Sequence, residues 1–186
     1  MRTKRTAGAG TAAVLVVALV SAVGADSAGA VAGFGDVADG RYFTEAVQWM
    51  VDEEITAGVS ATCFATSRET SRGEAAAFLW RSQGEPAPGG AHGFVDVEKP
   101  WQQDAVAWLA DEEITTGTSP TTFSPERPLT RGEFAAFLYR LEGEPAPGGS
   151  HGFVDVVKPW QQDAVAWLAD EEITTGTSPT TFSPER

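Results

Sequence analysis

One feature constrains this chain more than any other: it repeats. Gly93 to Arg127 recurs as Gly152 to Arg186 with a single change, Val157 standing where the earlier copy has Glu98. Phe94 and Phe153 lie 59 positions apart, as do Ile55 and Ile114. A looser copy precedes both, with Phe34, Asp36, Val37, Ala46, Val47, Trp49, Ile55, Gly58, Phe64, Arg72 and Glu74 in matching places. A fixed period of this length means one supersecondary unit used repeatedly, each copy burying part of its apolar face on its neighbours. The last copy stops at Arg186, the counterpart of Arg127, so the sequence holds two full units and part of a third.

Charge narrows the partners. A formal net charge of −13 repels nucleic acid and anionic lipid at long range, so neither is expected to bind. The single cysteine, Cys63, has no intramolecular partner for a disulfide, and threonines occupy its matching positions at Thr122 and Thr181. His92 and His151 are isolated, with no second ligand at metal-binding spacing, and no cofactor is expected.

The first 32 residues read as an export signal. Arg2, Lys4 and Arg5 give a basic start, Ala12 to Val23 a short apolar run, and small residues between positions 24 and 32 offer cleavage sites. No later stretch is long and apolar enough to span a bilayer, so no stable membrane span is expected once the leader is removed. The remaining chain divides into units at 33–90, 91–149 and 150–186. The two complete units end in the linker Gly-Glu-Pro-Ala-Pro-Gly-Gly at 84–90 and 143–149.

Each unit reads as helix, loop, helix. Pro100 suits a first helical turn, and Trp101, Ala105, Trp108 and Leu109 follow at i, i+4, i+7 and i+8, an apolar stripe on a helix. Tryptophans at this spacing are core, except Trp101 and Trp160, which sit at helix starts beside loops where an aromatic face can stack on a sugar ring. Gly58 and Gly117 mark turns, and Phe64 and Phe123 anchor the Ser/Thr-rich loops that follow. The second helix opens on Ser71-Arg-Gly-Glu74 or Thr130-Arg-Gly-Glu133, a capping-box pattern in which the hydroxyl and the glutamate each satisfy a backbone amide. Arg131 therefore falls in a first helical turn, where backbone amides and a guanidinium can meet an anion. Pairing with an acid such as Asp96 explains it equally well.

Together these residues resemble the S-layer homology repeat of bacterial surface proteins. The resemblance rests on Phe-x-Asp-Val at 94–97, Trp101, Ala105-Val106, Leu109, Ile114, Gly117, Phe123-Ser-Pro and Leu-Thr-Arg-Gly-Glu at 129–133. It implies a mainly α fold of tandem helix-loop-helix repeats packed as a pseudo-threefold spindle. It also implies grooves that hold cell-wall polysaccharide, in many members pyruvylated. Carried over residue by residue, Arg72 and Arg131 become anion contacts, and Glu74 and Glu133 organise the helix start. Asp36, Asp96 and Asp155 shape the groove, Trp101 and Trp160 line it, and Gly58 and Gly117 turn its wall. Two departures stand out. Gly73 and Gly132 occupy positions that are usually alanine, at a cost of about 1 kcal/mol each in helix propensity. Glu54, Glu113 and Glu172 occupy positions that are often glycine.

No nucleophile-elbow, zinc-protease or paired-carboxylate pattern is present, so catalysis within this stretch is not expected. The leading expectation is an exported wall-binding anchor. The alternatives are the wall-targeting part of a larger exported hydrolase and a structural module that self-associates. Because the third unit lacks its capping-box helix, the apolar side of Ala164, Trp167 and Leu168 is expected to lie uncovered.

Overall fold

The computed structural model describes residues 31–186. The expected leader and its cleavage sites lie almost wholly outside that range. Five helices follow one another: α1 (Thr44–Asp52), α2 (Arg72–Ser82), α3 (Pro100–Asp111), α4 (Arg131–Leu141) and α5 (Pro159–Asp170). Among the described residues there are only isolated β-bridges and no strand, so the chain is mainly α.

Two kinds of helix start alternate. α3 and α5 begin with proline at the first helical position, behind an extended lysine. α2 and α4 begin with complete capping boxes. Glu74 N–H donates to Ser71 Oγ while Ser71 N–H donates to Glu74 Oε2, and Thr130 and Glu133 repeat the exchange.

The helix ends share one device. After α3, the Ile114 amide reaches back to the Leu109 carbonyl and the Glu113 amide to that of Ala110, the paired bonds of a Schellman motif. The motif needs a left-handed residue. α2 and α4 supply Gly84 and Gly143, whereas the first helices use Glu54, Glu113 and Glu172, at φ of 57°, 60° and 56°. The glutamates therefore hold a conformation that costs an L-residue roughly 1–2 kcal/mol. The buried pair that the motif creates, Ile114 against Leu109, offsets that cost.

Packing cuts across the sequence repeat. α2 lies along α3, and α4 along α5, so each capping-box helix packs on the first helix of the next repeat. The main core is the α2–α3 seam, with Ala76, Ala77 and Leu79 facing Ala105, Val106, Trp108 and Leu109, closed by Phe123 and by Phe137 from α4. A second core repeats this between α4 and α5 around Ala135, Ala164, Trp167 and Phe182.

This register corrects the expectation for the third repeat. Ala164, Trp167 and Leu168 are buried, because α4 of the preceding repeat covers them. The uncovered first helix is α1, which has no comparable helix partner among the described residues. Trp49 is 44% exposed, while its counterparts Trp108 and Trp167 are 5% and 8% exposed. The third repeat shows its incompleteness elsewhere. Ile173 is 55% exposed, whereas Ile55 and Ile114 are sealed beneath arginines of the capping-box helices of their own repeats.

Two outcomes follow. Glu113→Gly removes the left-handed penalty and should stabilise the fold by about 1 kcal/mol, raising Tm by about 2–4 °C. An unchanged or lower melting temperature would count against the strain. In hydrogen exchange, amides of α1 should exchange at least about tenfold faster than those of α3, with α5 resembling α3, since among the described residues α1 alone lacks a helix across its apolar face. Equal protection in α1 and α3 would contradict this.

Candidate functional site

The start of each capping-box helix is where the repeats interlock. Four amides at a helix N-terminus lack intrahelical partners, and in α2 all four are satisfied. Arg72 N–H donates to Arg127 O, and Gly73 N–H to Pro125 O, both in the loop of the next repeat. Glu74 N–H donates to Ser71 Oγ and Ser71 N–H to Glu74 Oε2. In α4 the Arg131 and Gly132 amides go to Arg186 O and Pro184 O in the same way. The expected anion site at these amides is therefore occupied by protein carbonyls.

The arginine side chains follow their backbone into the neighbour. Arg72 is 3% exposed. Its Nε donates to Phe123 O at 2.9 Å, and Nη1 lies 3.2 Å from Glu133 Oε1. Its guanidinium stacks over Phe123 and Phe137, at 4.7 and 5.1 Å from the ring centres. Burial pushes it down from the ordinary arginine value, while Glu133 opposes that; arginine remains charged regardless. Arg131 repeats the contact, with Nε on Phe182 O at 2.9 Å and the guanidinium 4.6 Å from the Phe182 ring. It is half-buried and has no carboxylate within ion-pair distance among the described residues. Neither sequence reading of Arg131 matches this geometry: it is not paired with Asp96, and its helix-start amides are not open to an anion. Both arginines latch one repeat to the next.

The glycines that depart from the usual alanine have a packing reason. A β-carbon on Gly73 would lie 2.3 Å from Gln102 Nε2 and 3.1 Å from Pro125 O, and one on Gly132 would meet Gln161 and Pro184 in the same way. Gln102 and Gln161 are fully buried and reach Glu126 and Glu185 through their amide nitrogens. The helix-propensity cost of glycine is offset by this close approach of α2 to α3.

Asp36, Asp96 and Asp155 shape the loops. The Asp96 carboxylate accepts from the amides of Phe123 and Ser124, and Asp155 from those of Phe182 and Ser183. Asp36 accepts from Phe64, Ala65 and Thr66. The Phe64 and Phe182 amides in particular hold Asp36 and Asp155 below the ordinary aspartate value. Gly58 and Gly117 adopt φ of 74° and 80°, and a β-carbon at either would strike the ring of Phe34 or Phe94.

Two grooves result. The first encloses about 370 Å³ between Gly58, Arg68, Glu74, Phe78 and Arg81 of the first repeat and Trp101 of the second. The second, about 240 Å³, is its counterpart one repeat on, with Gly117, Glu133, Arg140 and Trp160, and Arg72 at its back. Trp101 and Trp160 are each nearly half exposed. The structure thus brings the expected tryptophans, glycines and glutamates together, but each tryptophan serves the groove of the repeat before its own. Asp36, Asp96, Asp155 and Arg131 are not among the lining residues of either groove.

Arg81 and Arg140 escaped the sequence reading. Each donates through Nη1 to an isoleucine carbonyl, Ile55 O or Ile114 O, and lines its groove. Their recurrence at the repeat spacing was the available signal. Arg68 and Arg127 pair with the capping-box glutamates at 2.5 Å. Burial alone would raise the Glu133 carboxyl. The hydrogen bond from Arg127, the Thr130 amide and the Arg72 charge together hold it below the ordinary glutamate value.

The repeats also match known proteins. Residues 28–76, 93–135 and 152–186 match the S-layer homology domain. A surface-layer 125 kDa protein of Lysinibacillus sphaericus is 37% identical over 125 residues, covering 64% of this chain and 10% of that protein. An endoglucanase of Bacillus sp. (strain KSM-635) is 35% identical over 92 residues, 49% of this chain and 10% of the enzyme. An endo-1,4-beta-xylanase A of Thermoanaerobacterium saccharolyticum is 38% identical over 48 residues, 26% of this chain and 4% of the enzyme. The matched segments span a tenth or less of these relatives.

The latch geometry separates the two arginines energetically. Arg72→Ala removes a buried charge-assisted bond and two ring contacts, and should lower the unfolding free energy by about 2–3 kcal/mol in urea denaturation. Arg131→Ala, half-buried and without a carboxylate partner, should cost about 1 kcal/mol. Equal losses would show that the buried pairing with Glu133 adds nothing.

Proposed function

Because this chain belongs to the S-layer homology domain family, we propose that it is an exported cell-surface anchoring module that holds wall polysaccharide non-covalently. The observation that carries the reading is the pair of equivalent grooves, each with an exposed tryptophan at a helix start, a glycine-turned wall and an arginine beside a capping-box glutamate. A tryptophan face offers apolar area to a sugar ring, and the arginines offer forked donors to an acidic substituent such as a pyruvate ketal.

In this reading Trp101 and Trp160 stack on sugar rings, Gly58 and Gly117 let the saccharide approach the backbone, and Arg81 and Arg140 meet its anionic group. Glu74 and Glu133 hold the groove arginines, and Asp36, Asp96 and Asp155 hold the loops that form the walls. Arg131 would line a third groove. That groove needs a further capping-box helix, which would also cover Ile173 and the exposed face of α1 bearing Ala46 and Trp49. Such a helix would close the array as the pseudo-threefold spindle that the family resemblance implies.

A related reading makes the chain the wall-targeting part of a larger exported hydrolase, which the endoglucanase and xylanase relatives favour. It requires the same grooves and differs only in what is attached to them.

Sedimentation with protein-stripped cell walls tests the proposal. A folded Trp101→Ala/Trp160→Ala variant should lose at least about tenfold in wall affinity, with thermal melts to exclude unfolding. Undiminished binding by that variant would transfer the function to self-assembly or to another surface.

A further inference from the structure

The two grooves share a polar side and differ in the loop that walls them. Glu74, Arg81 and Trp101 of the first recur as Glu133, Arg140 and Trp160 of the second. The loop side chains do not recur. Ala57, Val59 and Ala65 line the first groove, and the same positions one repeat on hold Thr116, Thr118 and Ser124. Three aliphatic side chains thus stand where the second repeat has three hydroxyls.

The backbone that carries them is the same. Val59 N–H donates to Cys63 O at 2.8 Å, as Thr118 N–H does to Thr122 O. Ala65 and Ser124 are both left-handed, at φ of 69° and 60°. In the second repeat Thr118 Oγ1 lies 2.8 Å from Ser124 Oγ and 3.1 Å from Thr122 Oγ1, so these hydroxyls form one set. Val59, Cys63 and Ala65 bring no hydroxyl to those places, and Val59 is 51% exposed. The start of α2 docks on the second repeat's loop and still leaves Thr118 exposed and Ser124 half-buried. A helix docked in the same way on the first repeat's loop would leave Val59 and Ala65 open.

This patch has little to offer a polar group. The Gly58 amide donates to Thr56 Oγ1, and those of Val59 and Ser60 donate to Cys63 O. The amides of Phe64, Ala65 and Thr66 all go to the Asp36 carboxylate. A hydroxymethyl or acetamido group set against Val59 would lose hydrogen bonds to water and regain none from these amides. A methyl group bonded directly to a sugar ring has none to lose, and it gains by burying apolar area.

We infer that the first groove selects a 6-deoxyhexose residue, whose C6 methyl group packs against Ala57, Val59 and Ala65 near the Trp101 ring. The inference rests on the glycan-binding reading and adds to it the class of sugar and the residues that choose it. The second groove, with Thr116 in the place of Ala57, makes no such choice.

The indole N–H signals of Trp101 and Trp160 report on the two grooves separately in a nitrogen-15 NMR titration of the full chain. The first probe is methyl 6-deoxy-α-D-mannopyranoside. Its controls are methyl α-D-mannopyranoside, which differs only by the C6 hydroxyl, and the corresponding 2-acetamido sugar. Trp101 should titrate with a Kd about fivefold lower for the deoxy sugar than for either control, and Trp160 should not distinguish the deoxy sugar from its parent. The triple variant Ala57→Thr/Val59→Thr/Ala65→Ser writes the second repeat's residues onto a backbone that carries them one repeat on. It should fold and lose the Trp101 preference. A preference that survives in this variant overturns the assignment to these three residues. Equal Kd values at Trp101, or a tighter acetamido sugar, overturn the choice of a 6-deoxyhexose and leave groove binding standing. Silence of both indoles with every probe overturns it as well, and sedimentation of the native chain with protein-stripped walls then decides separately whether the glycan-binding reading survives.

Discussion

The amides at the start of α2 and α4 are the constraint on which the rest depends. A helix N-terminus leaves four donors without intrahelical partners, and here two are satisfied within the capping box and two by carbonyls of the following repeat. Once Arg72 and Gly73 donate to Arg127 and Pro125, the position of the second repeat's loop relative to the first repeat's helix is set. The Arg72 side chain then has one place to go, between Phe123 and Phe137 and against Glu133. The array is thus held by a polar latch as much as by the α2–α3 core beside it.

That latch also explains the composition of the helix start. Alanine would serve α2 better as an isolated helix, yet Gly73 is required because Gln102 Nε2 occupies the space of a β-carbon. The opposite trade is made at the ends of α1, α3 and α5, where glutamate sits in a conformation that favours glycine. At the helix start a local preference yields to a tertiary one. A close helix–helix approach decides it. Nothing in the structure explains why glutamate rather than glycine closes these helices.

The same register makes the grooves composite. A repeat contributes its glycine turn, its capping-box glutamate and the arginine of its second helix to one groove, and its tryptophan to the groove before it. In the second groove Arg72 from the previous repeat stands at the back. A binding surface assembled this way is sensitive to the order of repeats as well as to their sequence, since no single repeat contains it.

Much of this was legible in the sequence. The repeat period, both capping boxes, the proline-started helices and the glycine turns are local, and local hydrogen bonding and sterics suffice to read them. Trp101 and Trp160 stood out because they sit at helix starts beside loops. What the sequence left open were relations between repeats. The period says that neighbours pack, but not that α4 rather than the missing helix covers Ala164 and Trp167. It marks Arg72 and Arg131 as helix-start arginines, but not that their amides and Nε atoms are satisfied by carbonyls of the next unit. Those carbonyls lie 51 to 55 residues along the chain, a separation over which no periodic pattern specifies a partner. Only tertiary packing brings such groups together, because there a buried donor must find an acceptor or lose its hydration without return.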